Sequence, residues 1–234
     1  MSIIAIITAR GGSKRIPKKN IKEFMGKPML AYAIEAAKKS GIFDEIMVST
    51  DSEEIANVAR KYGAEVPFMR SEKTSSDFAT TYDVLKEVLM EYKKQNKSFD
   101  FLCCIYPCVP FLKADSLKQA YSLMNLKEAN AIMPVCRYPV PVEWAMRINN
   151  DSLVADHIEK QMIRSQDLKP AYFDAGMFYF YKTNIFLQRK TTLLPGTIGY
   201  IIEELECQDI DTPDDWKMAE MKYKLLKGEK NAML

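Results

Sequence analysis

Strand-like apolar runs alternate with amphipathic segments from the amino terminus to residue 136, and this alternation constrains the fold more than any other feature. Residues 3–8 form a continuous β-branched run, typical of a strand buried on both faces of a parallel sheet. Similar runs at 45–49, 99–106 and 131–136 predict three further strands. Because helix-like segments separate them, we expect an α/β fold with a mostly parallel sheet and helices on both faces.

The intervening helices are marked by their apolar spacing and by the residues at their ends. Pro28 suits the first turn of one helix and Gly41 its end. Asp51 is the candidate cap of a second helix, which Gly63 ends. Two further helices are predicted around 84–92 and 114–126.

The regular alternation fails between residues 138 and 172, where three prolines interrupt the pattern. We interpret residues 138–172 as a small insertion on a core formed by residues 1–137 and 173–234. Within the core, 173–181 and 205–210 predict two returning strands. Thr212, followed by proline and two acids, then predicts the start of a last helix.

Composition limits the class of protein. The 33 Lys and Arg residues nearly balance the 31 Asp and Glu residues, so the net charge of +2 gives no support for bulk attraction to nucleic acid or membrane. The five cysteines include no C-x-x-C pair, which suits buried thiols in a reducing compartment. No apolar stretch approaches the roughly 18 residues that a membrane span needs, and the start does not resemble a signal peptide. We therefore expect a cytoplasmic protein.

A basic loop, "TARGGSKRIPKKN" at residues 8–20, follows the first predicted strand. Ligands of open α/β sheets bind beyond the carboxyl ends of the strands, where this loop begins. Gly11 and Gly12 allow backbone N–H groups to approach an anion, and Ser13 adds a donor. Three cations of the loop can neutralise phosphate charge: Arg10, Lys14 and Lys19. The loop matches neither G-x-x-x-x-G-K-[ST] nor G-x-G-x-x-G, so it predicts a polyphosphate pocket of another kind.

A second motif, "QDIDTPDDW", carries a pair of acids near the carboxyl terminus. Asp209 and Asp211 alternate along the predicted strand end, so both carboxylates would point to one side, where they could hold Mg²⁺ directly or through water. Helix capping is the alternative role for Asp211. For Asp214 and Asp215, the helix dipole alone explains acids in a first turn.

Together the two motifs resemble the CMP-sialic acid synthetase family, the cytidylyltransferases that activate nonulosonic acid sugars. The likeness extends over most of the chain through "ARGGSKRIPKKNI", "SGIFDEIMVSTDSEEIANVARKYGAEV", "FMRSEKTSSDFATTYD" and "QDIDTPDDW". It implies a Rossmann-like nucleotidyltransferase core, CTP and a nonulosonic acid as substrates, Mg²⁺ as cofactor, and a homodimer formed through the small insertion.

The resemblance also implies roles for individual residues. Arg10, Lys14 and Lys19 would act in catalysis by contacting the triphosphate and stabilising the departing pyrophosphate. The residues implied to bind the nucleotide are Arg10, Gly11, Gly12, Ser13, Asn20, Arg70, Ala79 and Thr80. Asp209 and Asp211 would position the metal.

The chain departs from the sialic acid enzymes where the sugar would bind. "YPCVPFL" at 106–112 stands in place of a Q-P-T-S-P-L-R-like stretch, and Asp-Ala-Gly stands where Asn-Gly is common. The combination of "CCIY", "SQDLKPAYFDAG" and "LECQDIDTPDDW" resembles most the members of the family that activate pseudaminic acid, a di-acetamido trideoxy relative of sialic acid. The more apolar stretch at 106–112 agrees with this, since a deoxygenated sugar suits a more apolar pocket. The residues expected to contact the sugar are Tyr106, Arg164, Gln166, Tyr172 and Asp174, with Arg164 opposite the sugar carboxylate.

Three alternatives stay open. The sugar could be legionaminic acid, sialic acid or 3-deoxy-octulosonate. The chain could be a non-catalytic nucleotide-binding protein, against which the retained cations and acids of both motifs argue. A nucleic-acid module would need basic and aromatic residues along a shared surface, and only one loop is enriched.

Overall fold

The computed structural model describes residues 1–232, with side chains described through residue 228. The strands are β1 (Ile3–Thr8), β2 (Glu23–Phe24), β3 (Lys27–Pro28), β4 (Glu45–Ser49), β5 (Phe101–Ile105), β6 (Ala131–Arg137), β7 (Met146–Asn149), β8 (Ser152–Ala155), β9 (Tyr172–Asp174), β10 (Phe178–Lys182) and β11 (Thr197–Ile201). The helices are α1 (Met29–Ser40), α2 (Glu53–Tyr62), α3 (Glu72–Ser75), α4 (Thr81–Lys94), α5 (Ala114–Leu126), α6 (Thr183–Arg189) and α7 (Pro213–Ala232).

A seven-stranded sheet organises the described part of the chain, in the order β11-β6-β10-β5-β1-β4 with β9 also beside β6. Strand β1 pairs in parallel with β4 and β5, and β11 pairs in parallel with β6. Strands β9 and β10 run antiparallel to their neighbours. The predicted α/β fold with a mostly parallel sheet is therefore confirmed.

The β-branched run of β1 lies between two apolar cores. Ile3, Ala5 and Ile7 pack into one core, whereas Ile4 and Ile6 pack into the other. Because successive side chains of a strand point to opposite faces, a strand covered by helices on both sides must be apolar throughout. This packing fixes the carboxyl end of β1, where the basic loop begins.

Several local predictions were wrong in detail. Ser52, rather than Asp51, caps α2 by accepting a hydrogen bond from the Ile55 backbone N–H. Residues 205–210 form a 3₁₀ turn and an irregular segment instead of a strand, and the strand that pairs in parallel with β6 is β11, earlier in the chain. The predicted strand 173–181 is interrupted at residues 175–177, so it forms the two strands β9 and β10.

The segment 138–172 projects a small antiparallel hairpin, β7–β8. Its apolar side chains are unusually exposed, including Ile148 at 73% and Leu153 at 70%. The last helix begins at Pro213 as predicted, and Thr212 exchanges hydrogen bonds with Asp215 across its first turn. No helix within residues 1–232 combines the length and apolar character that crossing a bilayer requires.

Candidate active site

The basic loop forms one wall of a cleft of about 380 Å³ at the carboxyl end of β1. The lining residues are Thr8, Arg10, Ser13, Lys14, Arg15, Lys19, Asn20, Pro107 and Asp211. The structure thus brings together residues of both sequence motifs, which are about 190 positions apart in the chain. Four cationic side chains and one carboxylate line the cleft, so its electrostatic character favours a multiply charged anion.

Gly11 and Gly12 have different structural roles in the basic loop. The Gly11 backbone N–H donates a hydrogen bond of 2.7 Å to Oδ1 of Asp51. A Cβ atom on Gly11 would lie 3.1 Å from Cβ of Ser52, closer than ordinary van der Waals contact, whereas a Cβ on Gly12 would meet open space. Gly11 is therefore needed for the close approach of the loop to the start of α2, and its N–H is directed to a carboxylate.

Asn20 fixes the far end of the loop from inside the protein. It is 4% exposed, and its Nδ2 donates to the backbone carbonyl of Arg10 at 2.8 Å. The Cys108 thiol lies 3.4 Å from Oδ1 of Asn20, to which it donates. Burial raises the pKa of Cys108 to about 12, so the thiol keeps its proton at neutral pH. Sequence reasoning assigned Asn20 to the nucleotide, and its contacts in the structure also hold Arg10 in place.

Acidic residues from distant parts of the chain hold the loop's cations. Asp77 accepts from Arg10 at 2.6 Å and from Lys14 at 2.5 Å. Asp211 pairs with Arg15 at 2.8 Å and with Lys19 at 3.3 Å. Sequence reasoning missed Asp77 and Arg15. The available signal was Asp77 itself, the one acid in "KTSSDFATT", and this stretch does not reveal the partners of its carboxylate.

The two acids of the second motif occupy an extended segment outside the sheet, so the predicted strand end was wrong. Asp211 faces the basic loop, where it accepts from Arg15 and Lys19. Although Asp209 stays open to solvent, the surrounding protein removes part of its hydration and raises its pKa. The negative charge of Asp211 adds to this upward shift, and Lys19 opposes it.

A second cleft, of about 260 Å³, continues from the first. The clefts share Thr8, Arg10 and Pro107, and the second adds Arg70, Thr74, Ser76, Asp77, Ala79, Thr81, Val84 and Tyr106. Arg70 is buried, and burial lowers the pKa of its guanidinium. It donates from Nη2 to the Ser49 carbonyl at 2.7 Å and from Nε to Ser49 Oγ at 3.0 Å. These two hydrogen bonds fix the orientation of the Arg70 guanidinium, which places a positive charge on the wall of the second cleft.

Ala79 lines the second cleft, whereas Thr80 is committed to α4. The Thr80 hydroxyl accepts from the Asp83 backbone N–H at 3.2 Å, and the Asp83 carboxylate accepts from the Thr80 backbone N–H at 3.1 Å and from the Thr80 hydroxyl at 2.6 Å. This reciprocal arrangement is a capping box, which stabilises the start of the helix. The next residue, Thr81, carries the hydroxyl that lies in the cleft, 3.3 Å from the phenol of Tyr106.

Two of the residues predicted to contact a sugar, Tyr106 and Asp174, both contact Tyr179, which was not among those predicted. The Tyr106 and Tyr179 rings meet edge to face with centroids 5.3 Å apart. The Tyr179 hydroxyl lies 2.9 Å from both carboxylate oxygens of Asp174. Burial raises the pKa of Tyr179, so the phenol stays protonated and donates to Asp174. Sequence reasoning treated Tyr179 as a core residue and missed this contact.

The other three predicted sugar residues line neither cleft. Tyr172 is 42% exposed on β9, opposite Arg137 of β6. Gln166 borders a separate hollow of about 250 Å³ at the base of the hairpin segment. Arg164 is exposed and pairs with Asp167 at 3.0 Å. Within a single chain, these side chains are therefore placed apart from the basic loop.

Comparison with known proteins places this geometry in a family. The sequence model of the family described as Cytidylyltransferase matches residues 4–215. The chain is 40% identical over 226 residues to the pseudaminic acid cytidylyltransferase of Campylobacter jejuni, covering 96% of this chain and 97% of that protein. It is 32% identical over 224 residues to the CMP-N,N'-diacetyllegionaminic acid synthase of Legionella pneumophila, covering 94% and 95% of the two chains.

A solved structure supports the fold assignment. The structure of CMP:2-keto-3-deoxy-manno-octonic acid synthetase in complex with CTP superposes with a TM-score of 0.70 at 15% identity, covering 98% of this chain and all of that one. At this identity the likeness bears on the fold alone. Combined with the family match over residues 4–215, it shows that the core has a nucleotidyltransferase fold. The chain therefore belongs to the cytidylyltransferase family of nucleotidyltransferase enzymes.

Proposed function

We propose that this enzyme transfers the cytidylyl group of CTP to pseudaminic acid, forming CMP-pseudaminic acid and pyrophosphate in the cytoplasm. The observation that carries the proposal is the joining of the two clefts at Arg10, one lined by four cationic side chains and the other by Arg70, Ala79 and Thr81. A nucleoside triphosphate has the same two parts. Identity of 40% to a pseudaminic acid enzyme over 96% of the chain supports the choice of sugar.

In the proposed reaction the anomeric hydroxyl of the sugar attacks the α-phosphate of CTP in line with the leaving pyrophosphate. The P–O bond to the β-phosphate breaks, and the hydroxyl proton is released. Such reactions depend mainly on positioning and on neutralising charge. Arg10, Lys14 and Lys19 would bind the β- and γ-phosphates and stabilise the charge that grows on the leaving group. Arg15, which shares Asp211 with Lys19, joins this set.

The nucleoside would bind in the second cleft. We assign Arg70 and Ala79 to cytosine and ribose, and we add the Thr81 hydroxyl because it lines this cleft. Thr80, which the sequence assigned to the nucleotide, would support them by capping α4. Ser13 and Asn20 would flank the phosphates, and Gly12 leaves space for their approach. Gly11 would act by holding the loop against α2.

Asp209 and Asp211 fit a hard divalent cation, and we assign Mg²⁺ to them. Carboxylate oxygens suit this ion, and a bound cation would offset both the loss of hydration and the repulsion from Asp211 that raise the pKa of Asp209. Within the described residues no cluster of three or more His, Cys, Asp or Glu side chains offers a complete metal cage. Mg²⁺ characteristically completes its shell with phosphate oxygens and water. When bound, the ion would neutralise phosphate charge and orient the reacting groups.

The sugar would meet Tyr106, which lines the second cleft, and Asp174, which is linked to Tyr106 through Tyr179. Arg164, Gln166 and Tyr172 lie on or beside residues 138–172, so in our proposal this segment contacts sugar across a homodimer. Two observations support it: the exposed apolar side chains of the β7–β8 hairpin, and the distribution of these polar residues away from the clefts of their own chain. Residues 1–137 and 173–234 would then form the catalytic core.

A pyrophosphate-release assay tests the proposal. The enzyme is incubated with Mg²⁺, each of the four nucleoside triphosphates, and a panel of pseudaminic, legionaminic, sialic and 3-deoxy-octulosonic acids. We expect release with CTP and pseudaminic acid above all other pairs. Greater release with another sugar overturns the substrate assignment, and no release with any pair overturns the proposed activity. Asp211→Asn should raise the Mg²⁺ concentration needed for half-maximal rate, whereas an unchanged titration rejects its role at the metal.

A further inference from the structure

Asp77 binds the same two cations that the proposed function assigns to the triphosphate. Its Oδ1 accepts from Nη1 of Arg10 at 2.6 Å, and its Oδ2 accepts from Nζ of Lys14 at 2.5 Å. Arg10 and Lys14 line the first cleft, and Arg10 and Asp77 line the second. One carboxylate therefore bridges the cations where the two clefts meet.

The segment that carries Asp77 is lightly packed. It connects α3 to α4, and its neighbour Phe78 is 95% exposed. The side chains of Arg10, Lys14 and Asp77 are 41%, 77% and 45% exposed. Exposed ion pairs contribute little net stability, because water and salt screen them. Separating Asp77 from Arg10 and Lys14 therefore costs little free energy.

The charge of Asp77 conflicts with a bound triphosphate. Hydrogen bonds from Lys14 first and from Arg10 second hold the pKa of Asp77 below its ordinary value, so the carboxylate is ionised at neutral pH. A phosphate chain placed on Arg10 and Lys14 would lie against this negative charge. The negative charges of the phosphates and of the Asp77 carboxylate would repel each other at this close approach. The N–H donors of Arg10 and Lys14 also cannot fully satisfy the carboxylate and the phosphate oxygens at the same time.

We infer that Asp77 is an internal competitor for the triphosphate site: it pairs with Arg10 and Lys14 in the free enzyme and is displaced from them when the triphosphate binds. The inference rests on the proposed function, because it takes the triphosphate to occupy the first cleft. A ligand with several negative charges gains more from the two cations than one carboxylate does. Asp77 thus selects against singly charged anions and keeps the cations positioned between turnovers.

Asp77→Asn tests the inference, since asparagine keeps the size of the side chain and removes its charge. Binding of inorganic tripolyphosphate, without Mg²⁺, is measured by calorimetry at low ionic strength for wild type and variant. We expect the variant to bind about three- to tenfold more tightly, as two exposed pairs no longer compete. Pyrophosphate should also become a stronger inhibitor of the variant. Damage to the fold could only weaken binding, so the direction of change is diagnostic.

Glu54→Gln is the matched control. Glu54 pairs with Lys18 of the same loop at 2.8 Å, and neither residue lines a cleft. This variant removes the same charge nearby and should leave tripolyphosphate affinity within about twofold of wild type. Unchanged or weaker binding by Asp77→Asn overturns the inference, as does equal tightening by both variants, which would show a general charge effect. If wild type binds neither tripolyphosphate nor CTP, the proposed function fails and the inference fails with it.

Discussion

Replacing Lys19 by methionine should slow turnover by about 10² to 10³, the usual effect of losing one donor that stabilises a transition state. The Lys19 Nζ donates to the Ile210 carbonyl at 2.7 Å and lies 3.3 Å from Oδ1 of Asp211. Its side chain is only 22% exposed. These contacts orient the ammonium group beside the cleft, and methionine preserves most of the side-chain volume while removing the charge.

The magnitude follows from the partial burial of Lys19. Two unit charges about 4 Å apart interact by about 4 kcal/mol at an effective dielectric constant of about 20, but by about 1 kcal/mol in water. The Lys19 side chain is only 22% exposed, so its interaction with a leaving pyrophosphate should lie closer to the value of about 4 kcal/mol. Since about 1.4 kcal/mol changes a rate tenfold, a loss of about 3 to 4 kcal/mol corresponds to the predicted 10² to 10³.

Lys18→Met provides the comparison that isolates position from charge. Lys18 is adjacent in the chain, is 67% exposed and pairs with Glu54 outside the clefts. Steady-state pyrophosphate release, at saturating sugar and varied CTP, should give nearly wild-type kcat for Lys18→Met and strongly reduced kcat for Lys19→Met. Equal losses in both variants would refute the assignment, because they would show that only the summed charge of the loop matters.

Three further predictions test other parts of the site. Tyr179→Phe removes the donor to Asp174, so KM for the sugar should rise about three- to tenfold, the effect of losing about 0.7 to 1.4 kcal/mol of hydrogen bonding, with KM for CTP unchanged. Equal changes in both constants would contradict the contact. The raised pKa of Asp209 means that its ionised form destabilises the free protein as the pH rises through that pKa. Asp209→Asn should therefore raise Tm slightly at pH 8 and less at pH 4.5, and a larger gain at the lower pH would reverse the sign we derive. Ile148→Glu on the exposed hairpin should convert the proposed homodimer into monomers in sedimentation velocity, whereas an unchanged mass would exclude the hairpin from the interface.

Features encoded in short stretches of sequence were predicted well. Strand β1 and the cap at Thr212 depend on neighbouring residues, so the pattern of side chains suffices to locate them. The interrupted strand 173–181 could not be recognised, because its break at Gly176 arises from pairing with β6 and from the left-handed conformation of that glycine. Strand β11 was missed since its sequence, "TIGYI", is short and contains a glycine.

At the candidate site the sequence predicted three of the cations and one acid, Asp211, but neither Arg15 nor Asp77. The family resemblance identified Arg10, Lys14 and Lys19, and the structure places all three in one cleft. Asp77 is 67 residues from Arg10 in sequence, and Tyr179 meets Asp174 only because the chain is interrupted between β9 and β10. Contacts of this kind depend on how distant elements pack, and local spacing carries no information about them.

The acids also offset the mutual repulsion of the cations within the basic loop. Residues 10–19 contain five cations and no acid, so the loop taken alone would repel itself. In the structure, carboxylates from three separate parts of the chain oppose these charges: Glu54 opposes Lys18, Asp77 opposes Arg10 and Lys14, and Asp211 opposes Arg15 and Lys19. Each cation is thus held near its working position before the substrate arrives, which reduces the reorganisation needed on binding.

The three carboxylates differ in location, since Glu54 lies outside the clefts whereas Asp77 and Asp211 line them. Only the latter two must give way to, or share, the incoming phosphates, and this difference is why charge removal at Asp77 and at Glu54 should have different effects on anion binding.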